Sequence, residues 1–279
     1  ESILIGTNSF SKLSNKPIEV LKKTRYELFH AKFKKFSREE LKEKLPSCVG
    51  IIAGTENYDS KLLSYAKNLK VISRIGVGID NIDLDYTKKN NIAIKTTQTD
   101  LSISVAELTV SLILSLYKNI IVNNENVKNK SFLKKKTRIL SGKTVGVLGL
   151  GRIGKASLKF LKNFNCKFLA FDHSFEEQFL NKYNVKKTSI KKIFANSDVI
   201  CIHLSYSKEL YHLVNYDLLK KCKKTPVIIN TARGDIVSES ALIRALDEKI
   251  ISGAGIDVFE DEPYSGPLIK RKDVVLTPH

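Results

Sequence analysis

The sequence is short of residues that carry several kinds of chemistry. It has only four cysteines, Cys48, Cys166, Cys201 and Cys222. None forms a C-x-x-C pair and none clusters with histidines. That argues against a zinc site or a disulfide framework, and for reduced core thiols in a cytoplasmic protein. No stretch reads as a signal peptide. The most apolar segment, VAELTVSLILSLYKNIIV at 105–122, holds Glu107, Lys118 and Asn119, which are costly to bury in lipid. It reads as a buried helix rather than a membrane span, and one at a subunit interface, which predicts a homodimer. Arginine is also scarce. The formal net charge is +18, yet of the 47 basic residues only 8 are arginine. The lysines are scattered and lack aromatic interleaving. This is the pattern of a solvated surface and not of a nucleic-acid reader, although a positive field favours anionic substrates and cofactors. There is no internal repeat and no low-complexity tail.

What is present alternates between strand and helix. Short β-rich runs fall at 3–7, 49–54, 70–75 and 92–96, and again at 144–149, 167–172, 198–204, 227–231, 253–258 and 274–278. Between them lie amphipathic stretches such as DSKLLSYAKNL at 59–69. Strands apolar on both faces and separated by helices imply parallel sheets covered on both sides. The pattern predicts an α/β protein with two doubly wound domains, at 1–98 and 99–279. The linking helix is expected to start near Ser104, which has capping-box spacing to Glu107. The polar run NNENVKNK at 123–130 is expected to be a loop.

Glycines 149, 151 and 154 give G-x-G-x-x-G directly after the strand TVGVLG, at the start of a helix, with a second strand ending at Asp172. That is a βαβ dinucleotide unit. Gly149 permits the tight turn, Gly151 lets backbone approach a pyrophosphate, and Gly154 allows helix and strand to pack closely. Asp172 would accept hydrogen bonds from the ribose hydroxyls and repel a 2′-phosphate, so NAD is predicted over NADP.

Ligands of open parallel sheets bind beyond the carboxyl ends of the strands. His203, Thr231, Arg233, Asp257, Glu262 and His279 all fall at or just after such ends. Among them Arg233 can clamp a carboxylate in bidentate fashion. His279 can exchange a proton near neutral pH, and Glu262 beside it would orient the ring. Singly, each also fits a structural salt bridge, a loop charge or a chain end, and spacing alone leaves the trio open.

Three stretches carry a resemblance. INTARGDIVSESALIRALDEKIISGAGIDVFEDEP at 229–263, SRIGVGIDNID at 73–83 and LSGKTVGVLGLGRIGK at 140–155 resemble the D-isomer-specific 2-hydroxyacid dehydrogenases, most of all their phosphoglycerate dehydrogenase-like branch. The resemblance covers nearly the whole chain. It implies a flavodoxin-like substrate domain joined to a Rossmann-type NAD domain, with reversible hydride transfer between a 2-hydroxy acid and a 2-keto acid. Its catalytic arginine, glutamate and histidine fall on Arg233, Glu262 and His279, and its substrate loop on Gly76, Val77 and Gly78. NAD contacts fall on the amides of Arg152 and Ile153, on Asp172, on Thr231 and Ala232, and on Asp257. By implication Arg233 holds the substrate carboxylate and polarises the C2 oxygen, His279 moves the proton, and Glu262 keeps the histidine oriented. No metal is implied.

The chain departs from the family pattern in places. Ser205 stands where a proline is frequent, and Leu101 where an asparagine is. Ala53 and Gly54 stand where a phosphate-binding arginine is expected, which weighs against 3-phosphoglycerate as substrate. Family members continue past the position of His279 into a helix that returns to the substrate domain. The rival function is a corepressor-like NAD-sensing scaffold, and the complete Arg233, Glu262 and His279 set argues against it.

Overall fold

The computed structural model describes residues 1–279. The chain forms two compact units, Glu1–Thr99 and Asp100–His279.

The first unit has five strands, β1 (Ser2–Ile5), β2 (Glu27–His30), β3 (Cys48–Ala53), β4 (Val71–Arg74) and β5 (Ala93–Thr96). They pair in parallel in the order β2-β1-β3-β4-β5, the flavodoxin-like order, with its switch point between β1 and β3. The helices are α1 (Lys16–Lys22), α2 (Arg38–Lys44), α3 (Ser60–Leu63) and α4 (Leu84–Lys89). Leu4, Ile51 and Ile72 project from three strands into one cluster with Leu41, Leu62 and Leu63. Burying each such side chain fully stabilises the fold by about 1.5–3 kcal/mol. A capping box starts α2: the Ser37 hydroxyl accepts the Glu40 N–H at 3.2 Å and the Glu40 carboxylate accepts the Ser37 N–H at 2.6 Å.

The second unit has β6 (Thr144–Leu148), β7 (Lys167–Phe171), β8 (Val185–Lys187), β9 (Val199–Ile202), β10 (Val227–Asn230), β11 (Gly253–Ile256) and β12 (Val274–Leu276), in the parallel order β12-β11-β10-β9-β6-β7-β8. The chain leaves β6 for β7 on one side and returns to β9 on the other, so the switch point lies between β6 and β9, as in a Rossmann sheet. Successive strand residues serve opposite faces. Ile200 and Ile228 join one core cluster, with Phe194 and Leu242, while Val199, Cys201 and Ile229 join the other, with Leu158 and Phe168. Double burial explains why these strands read as unbroken apolar runs.

The helices of this unit are α5 (Ser102–Lys118), α6 (Ile120–Lys128), α7 (Arg152–Leu161), α8 (Glu177–Tyr183), α9 (Ile190–Asn196), α10 (Tyr216–Leu219) and α11 (Glu239–Asp247). The start of α5 corrects the sequence reading. Asp100, not Ser104, meets the first helical amide, accepting the Ser102 N–H at 2.9 Å, and Ser104 already lies inside the helix. Nor does one helix run through 122. Asn119 takes left-handed dihedrals, φ 48°, and the chain bends by 58° into α6. Most of the polar run 123–130, expected as a loop, is therefore helical. The apolar face of α5 is used within its own unit: Leu112, Ile113 and Tyr117 pack with Val145, Val227 and Ile229. Exposed apolar side chains lie further on, at Ile120, Ile121, Val127, Phe132 and Leu133. No single helix is long and apolar enough to cross a membrane.

Candidate active site

The glycine turn after β6 has the geometry that its spacing predicts. Gly149 has φ 93°, and a side chain there would meet the His203 carbonyl group at 2.7 Å. Gly154 is buried under Gly149, and a methyl group would collide with the Gly149 carbonyl oxygen. Gly151 faces open space and begins α7 with no side-chain cap, so the first amides of this helix, those of Arg152 and Ile153 included, have no side chain over them. Asp172 stands at the end of β7. Its carboxylate accepts the Leu150 N–H at 2.5 Å and the His173 N–H at 2.6 Å, which ties the glycine turn to the neighbouring strand. Free backbone amides at a helix N-terminus, an unfilled approach at Gly151 and a carboxylate at the next strand end fit a dinucleotide.

Beyond β10 the chain turns through Thr231, Ala232 and Arg233. Asn230, 1% exposed, brackets that turn: its side-chain oxygen accepts the Ala232 N–H at 3.1 Å and its side-chain nitrogen donates to the Arg233 carbonyl at 2.9 Å. Arg233 Nη1 donates to the Ala232 carbonyl at 2.7 Å. Gly234 then packs directly against the Phe259–Glu260 backbone, where no side chain has room. The Arg233 turn and the segment leading to Glu262 therefore abut.

Glu262 and His279 meet. His279 Nδ1 lies 3.0 and 2.9 Å from the two carboxylate oxygens of Glu262, which also accepts the Phe259 N–H at 3.2 Å. The carboxylate fixes the ring and makes Nδ1 the donor, leaving Nε2 for proton exchange. Asp257, a predicted cofactor contact, is buried, and desolvation raises its pKa from the ordinary value. It accepts the Thr277 hydroxyl at 2.6 Å and so anchors the stretch that carries His279.

In the first unit, Gly76 has φ 128° just after β4. Its N–H donates to the Thr97 hydroxyl at 2.8 Å, so the loop amides left for a ligand are those of Val77 and Gly78.

Sequence reasoning missed Asn230, whose only signal is an amide closing the apolar strand VIIN. It noted His203 merely as polar. The residue is largely buried, and desolvation lowers its pKa to about 4.

Comparison with known proteins agrees with this geometry. Residues 110–279 match the model of the D-isomer specific 2-hydroxyacid dehydrogenase, NAD binding domain. A glyoxylate reductase of Thermofilum pendens is 39% identical over 256 residues, covering 87% of this chain and 75% of the relative. A D-3-phosphoglycerate dehydrogenase of Archaeoglobus fulgidus is 36% identical over 87% of this chain and 47% of its own length. The crystal structure of a D-lactate dehydrogenase from Aquifex aeolicus with NAD and lactic acid superposes with a TM-score of 0.84 at 29% identity, covering 100% of this chain and 88% of that one. These relatives are named for dehydrogenase or reductase activity, and nothing among them supports the corepressor alternative.

Proposed function

Since this chain belongs to the D-isomer specific 2-hydroxyacid dehydrogenase family and binds NAD, we propose that it interconverts a small, unphosphorylated 2-keto acid and its 2-hydroxy acid, with Arg233, Glu262 and His279 as the catalytic set. The observation that carries this reading is the His279–Glu262 pair at 2.9 and 3.0 Å. Arg233 clamps the substrate carboxylate and polarises the C2 oxygen. In the first unit, the amides of Val77 and Gly78 are the proposed substrate contact. In reduction, His279 Nε2 gives its proton to the C2 oxygen while Glu262 stabilises the charged ring beforehand; oxidation reverses the transfer. NADH supplies the hydride when bound. The amides of Arg152 and Ile153 would hold its pyrophosphate, Thr231, Ala232 and Asp257 would contact it, and Asp172 would favour NAD over NADP by repelling a 2′-phosphate.

A small unphosphorylated acid is favoured by two features. Ala53 and Gly54 provide no cation at the end of β3. The buried Glu56 carboxylate accepts the Gly54 N–H at 2.9 Å, placing negative charge there instead. A homodimer remains the proposed assembly, now through the exposed apolar residues of and after α6; light scattering would test it. The four free cysteines support a cytoplasmic setting.

The deciding experiment follows NADH oxidation with glyoxylate, pyruvate, hydroxypyruvate and 3-phosphohydroxypyruvate, each repeated with NADPH. The expected result is turnover of an unphosphorylated acid with NADH preferred. Equal efficiency with NADPH would remove Asp172 from its role, and activity on the phosphorylated acid alone would overturn the substrate class.

A further inference from the structure

His203 follows β9, at the switch point of the second sheet, where its N–H donates to the Leu148 carbonyl at 2.7 Å. Its largely buried ring lies between two hydroxyls, and a third hydroxyl extends the chain. Nε2 is 3.3 Å from the Ser157 hydroxyl on α7, and Nδ1 is 3.2 Å from the Thr231 hydroxyl after β10. Thr231 in turn lies 3.4 Å from the Thr109 hydroxyl on α5. Ser157, Thr109 and Thr231 are all buried.

Proton counting gives this chain a direction. The Thr109 hydroxyl donates its one proton to the Val105 carbonyl at 2.9 Å. Towards Thr231 it can then only accept, so Thr231 donates. With that proton used, Thr231 can only accept from the ring, so Nδ1 carries a hydrogen. A neutral ring has one donor and one acceptor, so Nε2 accepts from Ser157. Each link thus fixes the next, from the cofactor helix to the residue two positions before Arg233.

We propose that His203, held as the Nδ1–H tautomer, is a positioning residue that fixes the Arg233 turn relative to the cofactor helix α7. Asn230 holds that turn by its backbone, and His203 holds it by the Thr231 side chain. The low basicity that burial imposes keeps the ring neutral, as the chain requires. The inference rests on the reading of Arg233 as the carboxylate clamp.

Two measurements test it. In nitrogen-15 spectra of the intact chain, with the His203 signal assigned by its loss in His203→Gln, the ring should show a protonated Nδ1 and a bare Nε2, unchanged from pH 8 to about 5. An Nε2–H form, or titration near the ordinary value for histidine, would overturn the proposal. In kinetics well below the melting temperature, His203→Phe keeps the size and removes both polar atoms. It should lower kcat/KM for the 2-keto acid by up to about 10²-fold, well beyond any loss in NADH affinity, because small misplacements of a clamp are expensive. His203→Gln, which can still donate and accept, should recover most of the loss. Should His203→Phe fold poorly, Ser157→Ala breaks the first link and should cost roughly 2–10-fold. Melting losses in these variants with an unchanged kcat/KM would show a merely structural role and overturn the inference, as would an equal loss in NADH affinity. Combined with Arg233→Ala, His203→Phe should add no further loss, since it acts through that residue; additive losses sink the inference. If Arg233→Ala alone were silent, the clamp reading would be what failed, and the tautomer measurement would still report on the hydrogen-bond chain.

Discussion

Two glycine turns leave parallel strands in this molecule, and they are built differently. The turn at 149–154 is locked at three points and open only at Gly151: Asp172 holds the Leu150 amide, the His203 backbone lies against Gly149, and Gly154 is wedged under Gly149. The turn at 76–78 is tied through Gly76, whose N–H donates to the Thr97 hydroxyl and whose carbonyl accepts the Thr97 N–H, and Val77 is exposed. The locked turn suits a ligand that does not vary. On the function proposed above, the looser one offers the amides of Val77 and Gly78 to a substrate. On that same proposal, the difference separates a cofactor unit, where positions are dictated, from a unit offered to substrate, where specificity can drift without disturbing the chemistry.

The largest expected effect tests whether that chemistry belongs to the second unit. His279→Ala removes the proposed general acid and should lower turnover by about 10²-fold or more, with NADH affinity little changed. Steady-state kinetics beside a fluorescence titration of NADH would show both. A variant that kept the wild-type rate would move the proton donor elsewhere and leave the Glu262–His279 pair without a function.

The two turns can then be set against each other directly. Gly154→Ala forces a methyl group into the Gly149 carbonyl, so helix α7 must shift away from β6. NADH affinity should fall steeply and thermal stability with it. Gly76→Ala meets φ 128°, strained for any residue with a Cβ, at a cost of roughly 1–2 kcal/mol. Here the KM for the keto acid should rise while NADH binding stays as it was. If both variants lost NADH affinity alike, the division of labour between the turns would be wrong.

Much of this contrast was legible in the sequence. The βαβ unit could be read because glycine spacing and doubly buried strands leave few alternatives. Arg233, Glu262 and His279 stood out as polar residues after apolar strands. The failures share a physical cause, which is that local pattern yields to tertiary contact. β2, with sequence ELFH, is a half-exposed edge strand and too short to announce itself. The run at 123–130 is rich in asparagine and looked like a loop, yet the left-handed turn at Asn119 lets it continue as a second helix. Ser104 has the right spacing for a cap, but the helix starts two residues earlier, where Asp100 accepts the Ser102 N–H. The hold that Asn230 and His203 exert on the Arg233 turn joins residues far apart in sequence, and no local pattern encodes it.

A pH experiment sharpens the contrast at the level of stability. His203 has a folded pKa of about 4 against a reference of 6.5, because burial disfavours its charged form. Above pH 6.5 the ring is neutral in both folded and unfolded chains and contributes no slope. Between about 6.5 and 4 the unfolded chain binds the proton and the folded one does not, so stability falls as pH falls. The loss attributable to this group approaches about 3 kcal/mol near pH 4. Denaturant melts of wild type and His203→Gln across this range isolate it as a difference. Parallel curves would mean that the ring is not held neutral.

The smallest effect is expected in the first unit and far from any catalytic group. Ser37→Ala removes one half of the capping box on α2, where the hydroxyl accepts the Glu40 N–H at 3.2 Å. Loss of such a cap typically costs about 1 kcal/mol. The Glu40 carboxylate still accepts the Ser37 N–H, so part of the cap survives and the loss should fall at the lower end. Because the unit has its own core, built on Leu4, Ile51 and Ile72, the cost should appear as weaker hydrogen-exchange protection within residues 1–99. Protection of β6 and α7, and the affinity for NADH, should not move. Equal loss of protection across both units would mean that they unfold as one, and the separation drawn from the two turns would then describe their ligands but not their stability.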